Sequence, residues 1–123
     1  MRDAAILFVA AGFAGMALLA LARPASVLEQ FGVEVVSVEG RNEVSAVYGG
    51  FGLAVAALLA VAAIGEPATQ EGIVVAVGFS LVGMAGGRVF AAVRELPRGI
   101  YPVWVYFAIE VGSAALLFLA AWA

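Results

Sequence analysis

The sequence contains no cysteine, no histidine and no lysine. Without cysteine and histidine there is no disulfide bond, no thiolate nucleophile, and no zinc, iron–sulfur or histidine-ligated haem site. Histidine is also the side chain that ordinarily titrates near neutral pH. Any acid–base chemistry would therefore fall to Glu, Asp, Arg, Tyr or Ser. Phosphate-binding loops, dinucleotide fingerprints and nucleophile elbows are also missing, so we predict no cofactor and favour a non-enzymatic role.

Charge is scarce as well. Only 12% of the 123 residues are charged and 65% are hydrophobic, with a mean hydropathy of +1.11. Soluble domains are about 25% charged and about 45–50% apolar. The six cations form no basic stripe and the net charge is −3, which argues against nucleic-acid binding. The composition predicts an integral membrane protein whose first partner is the lipid bilayer.

Apolar segments long enough to cross a bilayer, which takes about 20 helical residues, cover residues 4–22, 43–64, 72–93 and 102–122. They predict an all-α bundle of four transmembrane helices, forming a single domain over residues 1–123. The first segment, with Arg2 before it and residues 20–22 (ALA) at its end, also resembles a secretory signal. Its apolar run is longer than a signal core, and Asp3 lies where a signal is basic. We therefore expect a retained span.

Arginines in the connections predict the orientation. Arg23 and Arg41 lie in the first connection, Arg94 and Arg98 lie in or beside the third, and the second has none. Because positively charged loops stay in the cytoplasm, the first and third connections should be cytoplasmic and both termini outside.

The first connection is the only long one. Pro24 suits the first turn of a short helix, on which Val27, Leu28 and Phe31 would share one face. We expect a short helix lying on the membrane surface, followed by an extended return through Gly40. A solvated connector is the alternative.

Two charged residues, Arg88 and Glu110, interrupt the apolar spans. Charges at membrane depth are costly and usually face the protein interior, paired with another group. At 1.5 Å per residue, Arg88 lies roughly 8 Å, Tyr48 roughly 9 Å and Glu110 roughly 12 Å from the same membrane side. Glu43 would lie at the mouth of this cluster. We therefore predict a buried polar or ligand-binding cluster of Glu43, Tyr48, Arg88 and Glu110.

Three uses of this cluster remain open. The pair could only fix which helices face each other, since buried ion pairs are weak indicators of activity. It could bind a ligand or ion, with Arg88 holding an anion or carboxylate through its fork of donors. Glu110 would then be the counter-charge and Tyr48 a hydrogen-bonding lid. It could also serve proton coupling or catalysis.

Small residues indicate where helices approach closely. Gly83 and Gly87 have the G-x-x-x-G spacing, and Gly49, Gly50 and Gly52 open the second span. Glycine permits close backbone contact between membrane helices. We expect packing within the bundle, with homo-oligomer formation as the alternative.

The chain has Pro24 after the first span, NEVSAVYGG at residues 42–50, GR at residues 87–88 and Glu110 in the fourth span. The order and spacing of these residues resemble those of a bacterial family of small, uncharacterised membrane proteins. That family is catalogued only as a domain of unknown function, and its members look like four-span proteins. The resemblance implies a bacterial inner-membrane location and supplies no activity.

The resemblance also implies that Glu43, Tyr48, Arg88 and Glu110 belong to one site. Two departures weaken an anion-binding reading of it. Ser45 stands where the family tends to have arginine, and residues 95–99 (ELPRG) replace a more usual Asp-Gly-x-Pro loop.

The leading hypothesis is a non-enzymatic binding or accessory protein that takes a lipophilic molecule or another membrane subunit at the Arg88–Glu110 region. The second is a small proton-coupled transporter with Glu110 carrying the proton. Four-span multidrug exporters, however, have their essential glutamate in the first helix, which here contains none. The third is a lipid-acting isomerase or cyclase using Glu110 as acid or base with Tyr48 as partner.

Overall fold

A computed structural model of the chain describes residues 1–122. Those residues contain helices and no strand, which confirms the all-α fold class. The four long helices are α1 (Arg2–Ala22), α3 (Val38–Ile64), α4 (Pro67–Arg94) and α5 (Val103–Trp122), all long and apolar enough to span a membrane. A short helix, α2 (Pro24–Glu29), lies between the first two.

Helix α3 begins earlier than predicted. The Ser37 hydroxyl accepts a hydrogen bond of 2.9 Å from the Gly40 amide, which satisfies one free donor of the first turn and so starts the helix at Val38. Gly40 therefore lies inside a helix, and the expected extended return through it is wrong. Helix α4 likewise starts ahead of its apolar stretch, since Pro67 is suited to a first helical position.

The middle of α3 is not α-helical. Residues Ser45–Gly50 form a π-helical segment between the α-helical stretches Val38–Val44 and Phe51–Ile64. The Phe51 amide donates to the Ala46 carbonyl, five residues back. Such wide turns are rare and often occur at functional sites. This one changes which face of α3 its residues present.

The four long helices form a ring. The closest pairs are α1 with α3 and α4 with α5, and contacts of α1 with α5 and of α3 with α4 close the bundle. Ile6, Leu59, Val74 and Leu117, one from each helix, are fully buried at its centre. Large apolar side chains also cover the outside, among them Phe8, Phe51, Phe79, Phe90 and Leu119. Such a surface suits lipid as the solvent.

The two glycine groups have different surroundings. A Cβ atom at Gly49 would lie 2.7 Å from Leu21 Cδ2, and one at Gly52 would lie 3.3 Å from Ala17 Cβ, so these glycines let α3 approach α1. At Gly83 and Gly87 a Cβ would have no neighbour within 4 Å. The G-x-x-x-G spacing of α4 is therefore not packed within the bundle, contrary to our expectation, because α4 turns that face outward.

The first connection folds back onto the bundle. Val27 of α2 is buried beside Ala20 and Val44 in a small second core. Phe31 lies after the end of α2, in the turn that includes Gly32, whose φ of 74° is a left-handed conformation favoured by glycine. Phe31 therefore does not share the α2 face as predicted, and it reaches the Arg88 region instead.

Candidate functional site

Arg88 of α4 and Glu110 of α5 form an ion pair. The Arg88 Nε donates to Glu110 Oε1 at 3.0 Å and to Oε2 at 2.8 Å, while Nη2 donates to Oε1 at 2.7 Å. Their side chains are 22% and 5% exposed. Two-point contact between a guanidinium and a carboxylate is among the stronger hydrogen-bonding arrangements in proteins. The carboxylate that Arg88 holds is thus the protein's own.

Two aromatic rings lie against the guanidinium. The Arg88 Cζ atom is 5.7 Å from the centroid of the Phe31 ring and 5.6 Å from that of Tyr106, and the two centroids are 5.4 Å apart. These distances are within the range of cation–π attraction. Tyr106 precedes Glu110 by one helical turn, so both side chains reach Arg88 from the same face of α5.

Gln30 attaches the first connection to the start of α5. Its Oε1 accepts hydrogen bonds from the hydroxyls of Tyr101 at 2.6 Å and Tyr106 at 2.9 Å. Its Nε2 donates to the Val27 carbonyl at 2.9 Å. Phe31, the next residue, is thereby held over Arg88. Gln30, Phe31 and Tyr106 were not among the residues predicted for the site.

The i, i+4 spacing of Tyr106 and Glu110 was a signal that could have identified Tyr106. For Gln30 and Phe31 no such signal existed, because Gln30 is 71 and 76 residues from the tyrosines that it contacts.

The other two residues of the predicted cluster lie apart from the pair. Tyr48, in the π-helical segment, is 39% exposed. Within residues 1–122 it shares no hydrogen bond with Arg88 or Glu110. Glu43 is exposed and makes no ion pair with Arg88 in the described part of the chain. Depth along a helix was the basis for grouping them, and depth does not specify which face a residue occupies.

An open groove of about 400 Å³ runs beside Arg88 along the outer side of α4. Its lining includes Met84, Gly87, Arg88, Ala91, Glu95 and Val103. Gly87 and Ala91 keep it wide, because neither carries a bulky side chain. A second groove of about 410 Å³, between α4 and α5, is lined only by apolar residues and glycine. Of these two grooves, the one beside Arg88 therefore has both apolar and charged lining residues.

At the opposite end of the bundle lies another polar contact. The buried Gln70 side chain donates from Nε2 to the Ala62 carbonyl at 3.0 Å and to Asp3 Oδ1 at 3.1 Å. This amide links α1, α3 and α4. Among residues 1–122, no group of three or more acidic side chains is arranged to hold a metal ion.

The sequence matches the family described as "Domain of unknown function (DUF4345)" over residues 1–121. The chain belongs to this family. No curated protein and no solved structure matches it. The expected resemblance to an uncharacterised family is thus confirmed, while the motif proposed at residues 42–50 stays a prediction.

In this DUF4345 chain, the ion pair leaves part of the guanidinium unused. Nε and one Nη2 hydrogen are directed at Glu110, whereas Nη1 has no hydrogen-bond partner within residues 1–122. A guanidinium carries five N–H donors and no acceptor. The site can therefore still donate hydrogen bonds to a molecule that lies beside Arg88.

Proposed function

We propose that this DUF4345 protein is a non-enzymatic membrane protein that binds one lipophilic molecule in the groove beside Arg88. The observation that carries the proposal is a partly exposed guanidinium, with unused donors, in the wall of an open groove. The family resemblance suggests a bacterial inner membrane, and the arginine distribution supports an orientation with both termini outside. The groove would then open in the cytoplasmic half of the bilayer.

The polar contact matters because the groove faces lipid. Lipid tails solvate an apolar groove as well as a ligand's tail does, so apolar contact alone gives little preference for one molecule. A hydrogen bond from Arg88 to a polar group at membrane depth favours such a ligand over bulk acyl chains, because acyl chains cannot accept that bond. The ligand we propose therefore has an apolar body and a polar group at the level of Arg88.

The arrangement of Glu110 supports binding over catalysis. Both of its carboxylate oxygens accept hydrogen bonds from Arg88, its side chain is only 5% exposed, and it is not among the residues that line the groove, so a bound molecule has little access to it. Tyr48, the partner expected for a lipid isomerase or cyclase, does not contact Glu110 through a hydrogen bond in the described chain. The filled apolar layer of Ile6, Leu59, Val74 and Leu117 likewise supports binding over proton-coupled transport.

Native mass spectrometry of protein extracted in mild detergent tests the proposal. Gly87→Leu fills the groove, and Gly72→Leu is its matched control on the same helix. A Cβ meets no neighbour within 4 Å at either position, so both variants should fold. We expect a co-purifying lipophilic mass on the wild type and on Gly72→Leu, and its loss from Gly87→Leu.

Equal retention in all three proteins, or no bound lipophilic mass on the wild type, would contradict the proposal. A stoichiometric second polypeptide in place of a small molecule would instead support the accessory-subunit alternative.

A further inference from the structure

We infer that the groove beside Arg88 selects lipids whose polar group is uncharged and accepts hydrogen bonds, and discriminates against anionic head groups. This rests on the proposed function and names the class of molecule. Hydroxyl, ester and ketone oxygens are acceptors of this kind.

The charge of the site disfavours an anion. Glu110 neutralises Arg88 through a bidentate contact. Of the groove's lining residues only Arg88 and Glu95 are charged, and Glu95 adds a second carboxylate. An anion placed there would meet no uncompensated positive charge among the lining residues. In a low-dielectric region that arrangement is costly.

The unused donors of Arg88 favour a neutral acceptor. Both Nη1 hydrogens and one Nη2 hydrogen have no protein acceptor within residues 1–122. Donors held away from water are costly to leave unpaired. A neutral oxygen satisfies them without adding charge, so it gains the hydrogen bond and avoids the repulsion from Glu95.

Arg94, on the same helix, is directed at an aromatic ring. The Arg94 guanidinium lies over the Phe90 ring, 4.7 Å from its centroid. Neither residue lines the groove. The charged groups that line the groove, or pair directly with a residue that lines it, are therefore Arg88, Glu95 and Glu110.

A tryptophan reporter tests the inference. Trp104 follows the groove residue Val103, whereas Trp122 stacks on Phe118 at the other end of α5. Trp122→Phe keeps an aromatic ring there and leaves Trp104 as the single tryptophan. Nanodiscs of phosphatidylcholine would carry diacylglycerol or phosphatidic acid with identical brominated chains, which quench tryptophan on contact. The two probes differ only in the phosphate.

We expect diacylglycerol to quench Trp104 at a several-fold lower mole fraction than phosphatidic acid. In the same background, Glu110→Gln should reverse the order, because Arg88 then carries an uncompensated charge. Glu95→Gln, at an exposed position, keeps the test valid if Glu110→Gln does not fold. It should increase quenching by phosphatidic acid several-fold and leave diacylglycerol unchanged.

Gly87→Leu separates failure of the inference from failure of the proposed function. If phosphatidic acid quenches as well as or better than diacylglycerol, and Gly87→Leu removes that quenching, the groove binds lipid but the charge selectivity is wrong. If neither probe quenches, or if Gly87→Leu leaves quenching by both probes unchanged, the groove is not a lipid site and both ideas are overturned.

Discussion

The two ends of the bundle hold polar side chains that are buried to the same degree but used differently. Counted over the whole residue, Gln70 is 5% exposed and Glu110 is 4% exposed. The Gln70 amide nitrogen directs its hydrogen bonds to Ala62 and Asp3, and the one charged group in this contact, the Asp3 carboxylate, is on an exposed residue. At the other end Arg88 pairs with Glu110 and still has donors to spare. Burial alone therefore does not distinguish the two ends, and unused donors beside an open groove are the feature on which the proposed binding site rests.

The largest expected effect comes from breaking the charged contact on one side. Arg88→Met leaves the Glu110 carboxylate buried without a partner, which should destabilise the protein by about 3–5 kcal/mol. Replacing both residues, as Arg88→Met with Glu110→Leu, should recover most of that loss because no charge remains. Reversible unfolding in mixed detergent micelles measures both. A double variant no more stable than Arg88→Met would show that the charge itself is not the cause.

The Gln70 contact should matter less. Gln70→Leu removes hydrogen bonds to Asp3 and Ala62 but leaves no buried charge unpaired, because Asp3 is exposed, so we expect a loss of about 1 kcal/mol. The same unfolding assay applies, with Glu71→Leu at the exposed neighbouring position as the control. If Gln70→Leu costs as much as Arg88→Met, the proposed difference between the two ends is wrong.

The smallest effect concerns the aromatic contact with Arg88. Tyr106→Phe keeps the ring and removes one hydrogen bond to Gln30, for a loss of about 0.6 kcal/mol. Tyr106→Leu also removes the ring and should cost about 0.5–1 kcal/mol more through the lost cation–π contact. Equal stability of the two variants would mean that the ring contributes only apolar volume.

The spans could be predicted because apolar length is a property of the chain in one dimension. Their ends were less accurate, since a local hydrogen bond, such as that from the Gly40 amide to the Ser37 hydroxyl, extends α3 beyond its apolar residues. The glycines also show that the sequence alone does not specify tertiary contacts. Spacing marked both Gly49 and Gly87 as small surfaces, but only the rotation of each helix decided that Gly49 meets α1 and Gly87 faces outward.

Sequence by itself established that Arg88 and Glu110 lie at similar depth in apolar spans, because helical rise converts residue number into depth. Tertiary structure alone decided which groups surround them. Helix rotation and the folding back of the first connection bring Phe31 and Tyr106 to the guanidinium and leave Glu43 exposed. The rotation of each helix and the position of the first connection depend on contacts between residues far apart in the chain. The spacing of residues within one segment does not specify such contacts.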